Sequence, residues 1–151
     1  DLKKGATIIV SSNVPDYGRI LQIFKDAGLI TLKKGIDITS ANFSDIASNP
    51  RHLKFKHSYE PKLLPTIYKN GEGDAVVINA NYAVGAGLNP IKQSIAIEKR
   101  DSPYVNIIAT RKGDQKKPAI KKLVKALQST STQKWILHHY KGAVLPEKNV
   151  K

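Results

Sequence analysis

The chain contains no cysteine. That excludes disulfide bonds, thiol nucleophiles and cysteine-ligated zinc. It has no run of about 18 apolar residues, so the sequence predicts no transmembrane helix. It has no Met at position 1 and no charged-then-apolar leader, so it is expected to begin as a mature, processed or truncated product. Walker, HExxH and G-x-S-x-G patterns are all missing. The only histidines are His52, His57, His138 and His139. The last two are neighbours on an expected helix, about 100° apart, and cannot share a metal. Ser11 and Ser12 follow a strand without an acid–His pair, and read as caps or hydroxyl donors at a helix start. The G-x-G of GAGLN (85–89) lacks the third glycine and the preceding strand of a dinucleotide fingerprint, and reads as a helix stop. No catalytic residue set, metal site or cofactor site is expected, and the chain reads as something other than an enzyme.

What is present in excess is positive charge. The 151 residues carry 25 Lys and Arg against 12 Asp and Glu, a net charge of +13. The excess grows along the chain: 6 basic and 5 acidic groups in 1–50, 8 and 4 in 51–100, 11 and 3 in 101–151. A basic surface attracts nucleic acid, anionic lipid or acidic partners. It is equally what a solvated lysine face looks like. Lys116, Lys117, Lys121, Lys122 and Lys125 decorate an amphipathic helix, with none of the interleaved aromatics that single-strand binding uses.

The pattern alternates between strands and helices. GATIIVSS (5–12) is a short β-branched buried strand, and a helix follows from about 15 to 27. In that helix Ile20, Ile23, Phe24 and Ala27 share a face, Pro15 suits the first turn and Gly28 the stop. ITLKKGIDITS reads as loop and short extended structure, FSDIASNP as a short helix, and HLKFKHSY (52–59) as a half-exposed strand. PKLLPTIYKN reads as a helix, DAVVINA as a buried strand, and NYAVGAG as a short helix closed by Gly85 or Gly87. QSIAIEK and YVNIIATR read as two further strands, and PAIKKLVKALQS and TQKWILHHYKG as the last helices. This is an α/β pattern. The charge and proline of IEKRDSPY (97–104) suggest a crossing between two units. Residues 4–96 suffice for a small α/β lobe, whereas 104–151 offer one strand and two helices, too little to close a sheet alone.

Arg19 raises the main question. It sits near a helix start, where the helix dipole already places partial positive charge, so a cation is unfavourable there. A bound anion between the two would resolve this. Free backbone N–H groups attract it, and the guanidinium fork suits a carboxylate. Asn79 and Asn81 lie in a second loop after a strand, and ligands of α/β sheets gather at such strand ends. An Arg with two or three Asn fits a zwitterionic amino acid. A surface arginine with turn-forming asparagines is the plainer alternative.

NVPDYGRILQIFKDAGLITLKKGI, NPRHLKF, LLP, DAVVINANYAVGAGLNP, SPYVNIIATRKGD, PAIKKLVKALQS and YKGAV resemble, in order and spacing, the NlpA/MetQ lipoprotein family of methionine-binding components of bacterial ABC importers. The resemblance implies a type II periplasmic-binding-protein fold, with two α/β lobes around a ligand cleft. On that reading residues 1–97 are the second lobe. Residues 98–151 are the return crossover and the C-terminal strand-and-helices part of the first lobe, the rest of which is absent. The family's carboxylate-binding arginine, in N-D-P-T-N-x-G-R, falls on Arg19. The asparagines of V-I-N-x-x-Y-A and S-P-Y-V-N fall on Asn79 and Asn106, which would hold the ligand's backbone. Val14 and the pair Asp16–Tyr17 depart from the family pattern.

The implied partners are a small methionine-like amino acid or methionyl peptide and a membrane ABC permease. Membrane contact would come through a lipid anchor absent from this chain, in the cell envelope outside the cytoplasmic membrane. As a C-terminal fragment the chain is expected to bind ligand weakly or not at all. It is also expected to pair as a segment-swapped homodimer or with a complementing chain. No nucleic acid is expected on this reading. The alternative is a basic nucleic-acid-binding α/β domain using the Lys-rich 116–151 surface.

Overall fold

Strand β1, Thr7–Ser11, is the centre of the first unit. In its sequence TIIVS the three central residues are apolar without alternation, the signature of a strand covered on both faces. Alternation sends Ile8 and Val10 to one face and Ile9 to the other. Ile8 and Val10 pack with Ile20, Leu21 and Phe24 of helix α1 (Tyr17–Asp26). Ile9 packs with Leu64 and Ile67 of helix α2 (Leu64–Lys69). Ile8, Val10, Leu21 and Leu64 have no exposed surface. Burial of each such side chain contributes roughly 1.5–3 kcal/mol before entropy is counted.

The computed structural model describes residues 2–99 and 102–146, and the chain divides into two units, 1–103 and 104–151. In the first, β1 lies between two parallel neighbours, β4 (Lys54–Tyr59) and β5 (Ala75–Val76). Ile8 is level with Phe55 on one side and Ala75 on the other. The short strands β2 (Thr31–Leu32) and β3 (Ile46–Ser48) form a separate antiparallel pair. Helices α3 (Ala80–Gly85) and α4 (Pro90–Gln93) follow β5. The second unit contains α5 (Pro118–Leu127) and α6 (Thr130–His139). No helix among the described residues is long and apolar enough to cross a membrane.

Most expected elements are present, with three corrections. FSDIASNP is not a helix. A capping box between Asn42 and Asp45 makes one 3-10 turn, and Ile46–Ser48 then pairs with β2. QSIAIEK and YVNIIATR form no strand. Ile95 is 87% exposed and Ile107 73%, and neither stretch has a ladder partner among the described residues. Alternating apolar residues become a strand only when a neighbouring strand takes up their N–H and C=O groups.

The helices of the second unit keep the amphipathic pattern but bury none of it. Leu123, Leu127, Trp135 and Leu137 are all exposed. Trp135 instead stacks on His139, with ring centroids 4.5 Å apart.

Two stability predictions follow from the first unit. Leu21→Ala is expected to cost about 2–5 kcal/mol, read from urea denaturation by circular dichroism. The second concerns Asp74, which ties the start of β5 to that of β1. Its Oδ2 accepts the Thr7 N–H at 2.8 Å, and its Oδ1 meets Lys3 Nζ at 2.8 Å. The Lys3 ammonium first, and then the Thr7 N–H, hold its carboxyl below the ordinary carboxylate range. A depressed folded-state value stabilises above the unfolded-state value and is lost as pH falls through the folded one. Denaturation midpoints measured from pH 6 down to pH 2 should therefore fall more steeply for the natural chain than for Asp74→Asn.

Candidate functional site

The carboxyl ends of β1 and β5 are neighbours, because the strands are parallel and adjacent. In such sheets the loops leaving these ends form the ligand crevice. β1 runs out at Ser11, and Ser12 still donates its N–H to the Tyr59 carbonyl at 2.8 Å. The chain then turns. Buried Ser11 accepts the Asn13 N–H on its Oγ at 2.9 Å. A 3-10 turn, Val14–Asp16, carries Pro15 in its first positions and leads directly into α1. Asn79 stands just past β5, immediately before α3.

These pieces meet at Asp16. Its residue surface is only 8% exposed. Its Oδ2 accepts from Asn13 Nδ2 at 3.1 Å, and its Oδ1 accepts from Asn79 Nδ2 at 3.4 Å. Arg19 Nη1 lies 3.9 Å from the same Oδ1. The other edge of the Arg19 guanidinium faces Glu98. Nε donates to both carboxylate oxygens at 3.2 Å, and Nη2 donates to Oε2 at 2.6 Å. Ser102 Oγ also donates to Glu98 Oε1. Lys99 Nζ pairs with Asp26 at the far end of α1, at 3.1 Å.

This arrangement explains a cation in the third position of a helix. Two of the chain's own carboxylates flank it and offset the unfavourable dipole. The anion expected from the sequence is therefore already supplied, in this structure, by Glu98. Among the described residues Asp16 and Glu98 place two carboxylates beside the one guanidinium of Arg19.

Arg19 and Asn79 are thus brought to the same carboxylate within the first unit. Asn81 is exposed on α3. Asn106 belongs to the second unit, where it is exposed in a stretch without regular secondary structure. Tyr17 packs its ring on Phe43, with centroids 4.8 Å apart, and its hydroxyl lies 3.2 Å from His57 Nδ1. Among the described residues no group of three His, Cys, Asp or Glu side chains is placed to hold a metal ion.

Sequence reasoning missed Asp16 and Glu98 as members of the cluster. Asp16 had a signal, since it precedes Arg19 by three positions, a spacing at which side chains meet on a helix. Glu98, 79 residues further on, had none.

A family model described as NlpA lipoprotein matches residues 1–148. The chain is 46% identical over 147 residues to the methionine-binding lipoprotein MetQ of Bacillus subtilis, covering 97% of this chain and 53% of that protein. Among solved structures it is similar to a nutrient-binding protein from Burkholderia cenocepacia bound to methionine. That match has 37% identity and a TM-score of 0.84, over 96% of this chain and 60% of the other. It is also similar to an ABC transporter periplasmic substrate-binding protein from Coxiella burnetii. There the identity is 35% and the TM-score 0.87, over 97% of this chain and 60% of the other. The chain spans about half the length of the curated relatives it matches. Its α/β fold is that of part of a periplasmic substrate-binding protein, and by the family match over nearly its whole length it belongs to the NlpA lipoproteins.

Proposed function

We propose that the chain is one lobe, with part of the other, of a solute-binding protein. That protein would deliver an amino acid, methionine first among them, to an ABC permease. The observation that carries this reading is the convergence of Arg19 and Asn79 at the carboxyl ends of adjacent parallel strands. The printed names of the relatives, methionine-binding and substrate-binding, point the same way. No covalent step is involved. A guest's carboxylate would pair with the Arg19 fork, sharing it with Glu98 or displacing it. Asn79 and Asn106 would orient the head group, and closure of two lobes by a hinge motion would bury the guest.

In the same reading residues 1–97 form one lobe and 98–151 return to the other. The exposed apolar stripe of α5 and α6 supports this, because a stripe of that kind is normally a buried face. The rest of that lobe would come from the longer protein, from a partner chain or from a second copy exchanging its C-terminal segment. The protein would work in the cell envelope, outside the cytoplasmic membrane, with the lipid anchor that the family description implies.

Calorimetric titration of a longer form containing this stretch, against L-methionine, D-methionine and methionyl dipeptides, tests the proposal. Arg19→Lys keeps the charge and loses the fork, and is expected to weaken binding by roughly 10- to 100-fold. Unchanged affinity would remove Arg19 from the role. For the 151-residue chain itself, sedimentation velocity should show association that grows with concentration. A strictly monomeric species at every concentration would count against the shared-lobe arrangement.

A further inference from the structure

Asparagine before a helix ordinarily caps it, its side-chain oxygen accepting a free N–H of the first turn. This chain uses that device freely. Asp37, Asn42, Asn89 and Ser129 each accept a backbone N–H at the start of a helical turn. Asn13 and Asn79 do not. Both occupy N-cap positions with extended backbones suited to capping, and neither side chain makes the cap bond. Both instead give their amide N–H to Asp16. Two ordinary stabilising bonds are forgone so that two amides from different loops can face one nearly buried carboxylate. Departures from local rules of this kind concentrate at functional positions.

The chemistry fixes which way each amide points. An ionised carboxylate can only accept hydrogen bonds, so it must face the NH2 end of Asn13 and of Asn79. The carbonyl oxygen of Asn79 is then directed away from Asp16. A carbonyl oxygen is an acceptor, suited to an ammonium and unsuited to a second carboxylate. The charge of the cluster works in the same direction. Among the described residues, the carboxylates of Asp16 and Glu98 beside Arg19 disfavour a guest that carries only negative charge and favour one that brings an ammonium with its carboxylate.

We propose that Asp16 is the positioning residue that locks the Asn79 amide and makes this end of the site demand an ammonium on the guest. The proposal rests on the binding reading above and names the group that sets its head-group selectivity. N-acetylated or deaminated relatives of an amino acid should be rejected even though they keep the carboxylate that Arg19 recognises. Asp16 acts through Asn79 and through its charge, without covalent chemistry.

The test uses the 151-residue chain labelled with 15N, the natural sequence beside Asp16→Asn and Asp16→Ala. Asp16→Asn keeps the shape and one acceptor oxygen while removing the charge. Backbone amide spectra verify that each variant is folded. The first readout needs no guest. The Asn79 side-chain NH2 signals should shift and exchange faster in Asp16→Ala, and less so in Asp16→Asn. Unchanged Asn79 signals in Asp16→Ala would overturn the proposal. The second readout is titration of a longer form containing this stretch, the natural sequence beside Asp16→Asn, with L-methionine and with N-acetyl-L-methionine. The natural sequence should favour methionine by about tenfold, and Asp16→Asn should lose most of that preference. An equal preference in both would overturn the selectivity role while leaving the binding reading in place. No response of that longer form to methionine would overturn both the binding reading and the selectivity role.

Discussion

The double-sided burial of β1 is the constraint on which the first unit depends. Five residues, TIIVS, place apolar side chains on both faces of the sheet, and each face needs its own helix. The parallel neighbours β4 and β5 bring that cover, because the crossover between successive parallel strands carries a helix back over the sheet. Once that is met, the geometry of the strand ends follows. The chain must turn after Ser11 to begin α1, and must turn again past β5 to begin α3. The two turns are adjacent because the two strands are. Asn13, Asp16, Arg19 and Asn79 are neighbours in space for this reason, although more than sixty residues separate the first from the last.

Electrostatics then decides how those neighbours behave. A guanidinium in the first turn of α1 opposes the local dipole, and only nearby anions make the position tolerable. Asp16 and Glu98 supply them at different costs. Glu98 is partly exposed and reaches Arg19 through three contacts. Asp16 is nearly buried, and its charge is compensated mainly by two amide donors with Arg19 further off. A nearly buried carboxylate without those donors would leave polar oxygens unpaired. The asparagines therefore stabilise the charge and are themselves oriented by it.

How much of this was legible in the sequence depends on the distance over which each feature acts. Helix α1 was legible because Ile20, Phe24 and the stop at Gly28 are local signals, and Gly28 does adopt the left-handed conformation expected of a helix terminator. β1 was legible because a fully covered strand needs no alternation. Ile95, Ile97, Ile107 and Ile108 misled for the opposite reason. Their apolar spacing records a capacity to pair, and pairing requires a neighbour that the described residues do not provide. At the site, Arg19 and Asn79 stood out through their placement after strands and through the family motifs. Glu98 could not stand out, because nothing within one helical turn of it hints at a partner 79 residues earlier. Asp16 was visible as a departure from the family pattern, but its two amide partners become apparent only when β1 and β5 are laid side by side.

Consecutive residues Glu98 and Lys99 hold opposite ends of α1, the first through Arg19 and the second through Asp26. Those anchor points stand about 10 Å apart along the helix axis. A segment fastened at two separated points cannot swivel as one fastened at a single point can. Rotation about either anchor alone would break the other. Glu98 and Lys99 are thus pinned along the length of α1, and the loss of either contact would leave the pair hinged on the other.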